Sequence, residues 1–172
     1  VPSEVKNNEF RVGLTPNSCR AIVGDGHSIF IQNNAGSGIG YTNEDYIKSG
    51  AQILDTAKEV YSAAELIIKV KEPVESEYQY LRDDLTLFTY LHLAGDPANA
   101  KKLIETGVTG IAYETVTADD GSMPLLAPMS AIAGQISIVV GSYHLLKHNS
   151  GKGVLIGSFG DISPRVVTVI GG

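Results

Sequence analysis

Apolar residues come in short runs along this chain, and the runs alternate with longer polar stretches that open on helix-capping residues. Ser28 to Gln32, Gln52 to Leu54, Glu65 to Val70, Leu85 to Leu91 and Val108 to Tyr113 are apolar, β-branched or aromatic runs of strand length. Between them, Thr15 and Pro16 stand as N-cap and first residue of a helix that Gly24 and Gly26 close. Thr42 caps a helix over Asn43 to Ser49, stopped by Gly50. Further helices are expected over Thr56 to Ala63, over Glu75 to Arg82, and from Asp96-Pro97 to about Thr106, where Gly107 ends the last of them.

Pro128 begins the longest helix, to about Lys147. Met129, Ile132, Ile136, Val139, Val140, Tyr143 and Leu146 step by three or four along it. Ala131, Ala133, Gly134, Gly141 and Ser142 are small, which suits close packing, so the helix reads as a bridge between domains. Ser150 to Gly153 is a polar linker. Arg165 to Ile170 reads as a strand entering the Gly171-Gly172 turn. Strands alternating with helices predict an α/β fold, a mostly parallel, buried sheet flanked by helices. The expected organisation is a first domain over 1–127, an interdomain helix over 128–148, and over 149–172 the linker and opening strand of a second domain.

Composition narrows the function classes. A 172-residue chain with 43% hydrophobic residues can bury a core. A net charge of -6 argues against a nucleic-acid binder. No apolar run approaches a membrane span. One cysteine, Cys19, excludes an intrachain disulfide and fits the cytoplasm. Cys19 lies on a predicted helix and reads as core. Gly36-Ser37-Gly38 invites a dinucleotide-binding reading, but the third glycine of that fingerprint would fall at position 41, which is Tyr41. His144 and His148 have helical metal spacing without an acidic partner, so a solvated or capping role is expected for them.

The candidate chemistry sits where a parallel sheet places ligands, just past the carboxyl ends of strands. Arg11 lies in the first loop. Lys71 follows the strand that ends near Val70, and His92 follows the strand that ends at Leu91. An arginine can hold a carboxylate with two parallel hydrogen bonds. A lysine can set positive charge beside a carbonyl oxygen where negative charge develops. A histidine can move a proton on or off a nitrogen or oxygen near neutral pH. The trio suits a small 2-amino or 2-oxo acid. Each residue also has a plainer reading: Arg11 paired with Glu4 or Glu9, Lys71 solvated with Lys69 or Glu72 mattering instead, His92 satisfied by a backbone carbonyl.

Several segments together carry a resemblance: Lys6 to Pro16 (KNNEFRVGLTP), Ala35 to Gly40 (AGSGIG), Ile68 to Pro73 (IKVKEP), Leu87 to Ala94 (LFTYLHLA), Ala112 to Thr115 (AYET) and Pro124 to Ser130 (PLLAPMS). The chain resembles the N-terminal part of bacterial alanine dehydrogenases, over essentially its whole length. The resemblance implies two Rossmann-like (flavodoxin-like) domains, the second barely begun here. It implies NAD-dependent oxidative deamination of L-alanine to pyruvate and ammonia, and a homohexamer. It also implies that Arg11 and Lys71 bind the substrate, that His92 is the acid/base partner with Lys71 at the reacting centre, and that Tyr90 and Met129 line the pocket. Ser130, Gly171 and Gly172 would lie on the cofactor side. The family's glycine fingerprint and a catalytic aspartate are expected in the second domain. Ser158 to Ile162 (SFGDI) departs from the glycine- and proline-rich loop of the family.

Two other readings compete. A nicotinamide nucleotide transhydrogenase domain shares the fold and the Arg-Val opening, but differs around Tyr90 to His92. A non-catalytic small-ligand-binding or oligomerisation domain would use the same fold without a cofactor half.

Overall fold

The structure is a computed structural model and describes residues 1–170. The chain divides into two compact units, Val1–Val116 and the residues from Thr117 on.

The first unit follows the alternation of the sequence. In order it contains α1 (Pro16–Gly24), β1 (Phe30–Gln32), α2 (Asn43–Lys48), β2 (Gln52–Leu54), α3 (Ala57–Ala63), β3 (Leu66–Ile68), β4 (Thr86–Thr89), α4 (Pro97–Thr106) and β5 (Thr109–Ala112). Local chemistry explains most of the helix starts. The side chains of Thr15, Thr42, Thr56 and Asp96 each accept a backbone N–H three residues on, and Thr42 and Thr56 do so within reciprocal capping boxes with Asp45 and Glu59. Pro16 and Pro97 follow two of these caps, where their missing N–H costs nothing. Gly107 closes α4 with φ 73°, a left-handed conformation that glycine adopts without penalty.

All the strand ladders are parallel, as expected, but they form two sheets rather than one: β1-β2, and β3-β4-β5. The segment Val1–Glu4 runs between them. Its backbone bonds β1 on one side, where the Val1 ammonium donates to Phe30 O and Gln32 N donates to Val1 O. On the other side the Glu4 carboxylate accepts from Val70 N (2.6 Å) and Lys71 N (3.3 Å), just past β3. A side chain here does what a ladder would do, so no continuous sheet is formed. Leu87, Ile67, Val60, Tyr61, Leu85 and Leu103 make one apolar core under β3-β5, and Ile31, Cys19, Tyr46 and Ala51 make another against β1-β2. Burial of these side chains is the main stabilising term, of order 25 cal/mol per Å² of apolar surface.

Two expected elements are absent. Glu75 to Arg82 is not a helix; only the 3-10 turn Tyr78–Tyr80 forms there. Glu77 is the reason. Its backbone N–H closes a turn onto Val74 O, its Oε2 accepts from Val74 N, and its Oε1 is drawn into the interior by Lys69 and Tyr61. A buried ion pair outweighs the few tenths of a kcal/mol per residue of helix propensity. Likewise, Arg165 to Ile170 has no strand structure, because no neighbouring strand pairs with it among the described residues.

The second unit is built on α5 (Ala127–Leu145). The helix starts one residue before the expected Pro128 and ends two residues short of Lys147. Its apolar side chains Ile132, Ile136, Val139, Val140 and Tyr143 are exposed.

Candidate functional site

The carboxyl ends of β3 and β4 define one edge of the three-stranded sheet, and the first loop is fastened across it. Glu4 holds the backbone of Val70 and Lys71, as above. Lys6 forms an ion pair with Glu72. Gly13 lies so close to β3 that a Cβ there would stand 2.6 Å from Ile68 O, so only glycine lets the loop approach. Thr89 Oγ1 donates to Lys71 O (3.0 Å), which ties the residue after β3 to β4.

Lys69 and Lys71 alternate across this strand end with opposite fates. Lys69 is fully buried, with Nζ 2.7 Å from Glu77 Oε1 and 3.4 Å from Glu4 Oε2. Those carboxylates are also almost wholly buried. Lys69 is therefore a structural cation behind the edge, out of reach of a substrate. Lys71 is about one-third exposed and lies 3.9 Å from Glu72 Oε2.

Arg11 pairs with Glu9. Its Nε donates to Oε1 (2.8 Å) and its Nη2 to Oε2 (2.6 Å), a bidentate pair that fixes the plane of the guanidinium. Glu9 is held below the usual carboxylate range chiefly by this hydrogen bonding, with Lys71 contributing. Hydrogen bonding to Glu9 raises the Arg11 pKa further, with Tyr90 and Glu4 adding smaller effects. Tyr90, on the adjoining strand end, packs edge-on to Tyr113 at 5.0 Å between ring centres. Burial raises its hydroxyl pKa, with Arg11 opposing and Glu114 reinforcing the shift. Tyr90 thus feels the Arg11 loop on one side and Glu114 on the other.

Glu114, in the turn after β5, is the residue that reading the sequence left without a role. Its Oε1 accepts from His92 N (2.6 Å), and its carboxylate accepts from Leu91 N as well (3.1 and 3.3 Å). These bonds hold the backbone at His92, whose φ of 51° is unusual for a residue with a side chain. Gly95 N donates to His92 O (3.0 Å), and a Cβ on Gly95 would stand 2.0 Å from His92 Nε2. The ring of His92 therefore lies against Gly95 and would have to turn aside for any larger residue there. His92 itself is exposed. No local pattern announces Glu114, since its partners lie 22 and 23 positions away; its place at a strand tip was the available signal.

Lys71, Tyr90 and His92 thus follow the ends of the neighbouring strands β3 and β4, with Arg11 held by Glu9 in the first loop and the His92 backbone held by Glu114. Met129 and Ser130 lie in the opening turn of α5, in the second unit. Gly171 and Gly172 lie outside the described residues. A dinucleotide requires a glycine turn opening directly into a helix. Gly36 to Gly40 instead forms the 3-10 turn Ser37–Ile39. A Cβ on Gly36 would meet the Tyr46 ring at 2.7 Å, and one on Gly38 would meet Phe10 O at 2.9 Å. These glycines serve packing and do not form a dinucleotide turn.

The unit belongs to the class of parallel α/β folds, in which ligands bind just past the carboxyl ends of the strands. Residues 1–133 match the family described as "Alanine dehydrogenase/PNT, N-terminal domain", and the chain belongs to this family. An alanine dehydrogenase of Methanococcus maripaludis is 51% identical over the whole chain, which covers 46% of that protein. The solved structure titled L-alanine dehydrogenase superposes with a TM-score of 0.84 at 46% identity, over 95% of this chain and 45% of that one. A transhydrogenase from Sinorhizobium meliloti gives 0.61 at 25% identity, over 65% of this chain and 33% of that one. The chain spans about half the length of the curated relatives it matches. No helix of the described residues is long and apolar enough to cross a membrane.

Proposed function

We propose that this chain carries the substrate half-site of an NAD-dependent L-alanine dehydrogenase, acting in the cytoplasm on L-alanine, or on pyruvate and ammonia in reverse. One observation supports the reading: Lys71, Tyr90 and His92 follow the carboxyl ends of the neighbouring strands β3 and β4, in a chain whose relatives bear that name.

Each side chain has a distinct task. Arg11, oriented by Glu9, binds the substrate carboxylate through its guanidinium. Lys71 places its charge beside the carboxylate and the 2-oxo oxygen, favouring the negative charge that grows there when the carbonyl is polarised. His92 moves the proton at the substrate nitrogen or oxygen. Tyr90 walls the pocket, and Glu114 sets the angle at which the His92 ring meets the substrate. NAD, when bound, would supply the hydride acceptor, and Gly36 to Gly40 form no cradle for it. A homohexamer is the proposed assembly.

The complete protein is expected to form NADH in the presence of NAD and L-alanine. Hydride exchange between NADH and an NADP analogue without any amino acid would favour the transhydrogenase reading, and absence of both activities would favour a binding module.

A further inference from the structure

A second polar recess lies in the first unit, with a volume of about 240 Å³. Its walls include Lys6 of the first loop, Glu72 after β3, Tyr78 of the 3-10 turn, and Asp96, Asn99 and Lys102 at the start of α4. Arg11, Lys71, Tyr90 and His92 do not line it.

The walls carry unmet hydrogen-bonding capacity. Among the described residues, the buried side-chain polar atoms without a hydrogen-bond partner are Glu72 Oε2, Tyr78 Oη and Asn99 Nδ2, and all three residues line this recess. Buried polar atoms normally find partners, because leaving them unpaired forfeits their hydration. All three atoms are shielded from solvent, so a ligand in the recess reaches them once the Lys6 and Lys102 side chains turn aside. Their types restrict that ligand. Glu72 Oε2 only accepts, Asn99 Nδ2 only donates, and a tyrosine hydroxyl can do either. Burial raises the Tyr78 pKa, so it keeps its proton and can donate. A fitting molecule therefore presents a donor to Glu72 and an acceptor to Asn99 and Tyr78. The charges agree. Lys6 and Lys102 face Glu72, Asp96 and Glu75, so both signs are present and neither a bare anion nor a bare cation is matched everywhere. Lys102 pairs with Glu75 and lies 5.5 Å from the Tyr78 ring centre.

We propose that this recess binds a small zwitterion of the α-amino-acid class. Its ammonium donates to Glu72 Oε2. Its carboxylate accepts from Asn99 Nδ2 and the Tyr78 hydroxyl, with Lys102 alongside. The partly exposed Lys6 and Lys102 side chains form the movable wall that admits it. Glu72 Oε2 is also the oxygen 3.9 Å from Lys71 Nζ, so the ligand's ammonium and Lys71 share one carboxylate. The proposal rests on the recess alone and holds whichever activity the complete protein has.

The test is calorimetric titration of the complete protein with glycine, L-serine and L-glutamine in separate runs, with ammonium chloride and sodium acetate as single-charge probes. At least one amino acid is expected to bind saturably, and neither single-charge probe to match it. Asn99→Asp, which keeps the size and replaces the donor by an acceptor, is expected to weaken that binding at least tenfold, and Tyr78→Phe severalfold. Arg11→Ala is expected to leave it unchanged. No binding by any amino acid, equal binding of ammonium alone, or loss with Arg11→Ala and not with Asn99→Asp would each overturn the proposal. Circular dichroism of both recess variants separates lost binding from lost folding, and if Asn99→Asp fails to fold, Tyr78→Phe decides.

Discussion

Lys69→Met is expected to destabilise the protein by about 3–5 kcal/mol, the cost of breaking a buried ion pair from one side. The magnitude follows from what remains. Glu4 and Glu77 are almost wholly buried, and Lys69 is the cation that both approach, at 3.4 and 2.7 Å. Removing it leaves two carboxylates in the interior facing each other's charge. They must take up protons or drag the surrounding segments toward water, and either response costs free energy. Backbone donors soften the loss without cancelling it, since Val70 N and Lys71 N hold Glu4 and Val74 N holds Glu77. Glu77 also accepts from the buried Tyr61 hydroxyl, so a shift of Glu77 disturbs the core under β3-β5. Urea unfolding checks the figure. The triple variant Lys69→Met, Glu4→Gln, Glu77→Gln is expected to recover much of the loss, because neutral amides need no counter-charge. A single-variant loss below about 1 kcal/mol would mean that the network contributes little to stability.

His92→Ala is expected to lower kcat of the complete enzyme by about 10²–10⁴-fold, the usual range for removing a positioned acid/base. KM for pyruvate is expected to change much less, because the carboxylate is held from Arg11 and Lys71. Steady-state rates in both directions read the split. His92→Gln keeps hydrogen bonding without proton transfer and is expected to resemble alanine more than wild type. A kcat within a few-fold of wild type for both variants would remove His92 from the chemistry and leave it as a loop residue held in place by Glu114 and Gly95.

How much of this was legible follows from the range of each interaction. Helix starts were readable because their signals are local: a Thr or Asp cap bonds its own third neighbour, as at Thr15, Thr42, Thr56 and Asp96. The strand runs were readable as short apolar stretches between capped helices, although the buried sheet expected from them is only partly formed: one face of β1 and β4 is buried, and β2 and most of β5 are not. The misread region, Glu75 to Arg82, is helical in local character and is overruled by Lys69, eight positions away, which needs a buried carboxylate. The division into two sheets was equally hidden, since it depends on Glu4 reaching Val70 across 66 positions. At the site, Arg11, Lys71 and His92 stood out as the ionisable groups in loops or just past apolar runs. Arg11 does pair with Glu9, one of the two plain partners foreseen for it, while the other, Glu4, goes inward to Lys69. Glu114 was invisible for the same reason as Glu4: its partners are distant in sequence.

Arg11 is expected to grip the carboxylate of a three-carbon acid at this strand edge. Calorimetric titration of the complete protein with pyruvate, wild type against Arg11→Ala, tests it most directly. Loss of a charge-assisted bidentate contact predicts a Kd weaker by about 10–100-fold. Arg11→Lys is expected to recover only part of it, because an ammonium cannot present a planar fork. Unchanged pyruvate affinity in a folded Arg11→Ala protein would contradict the account and return Arg11 to the role of a surface partner for Glu9.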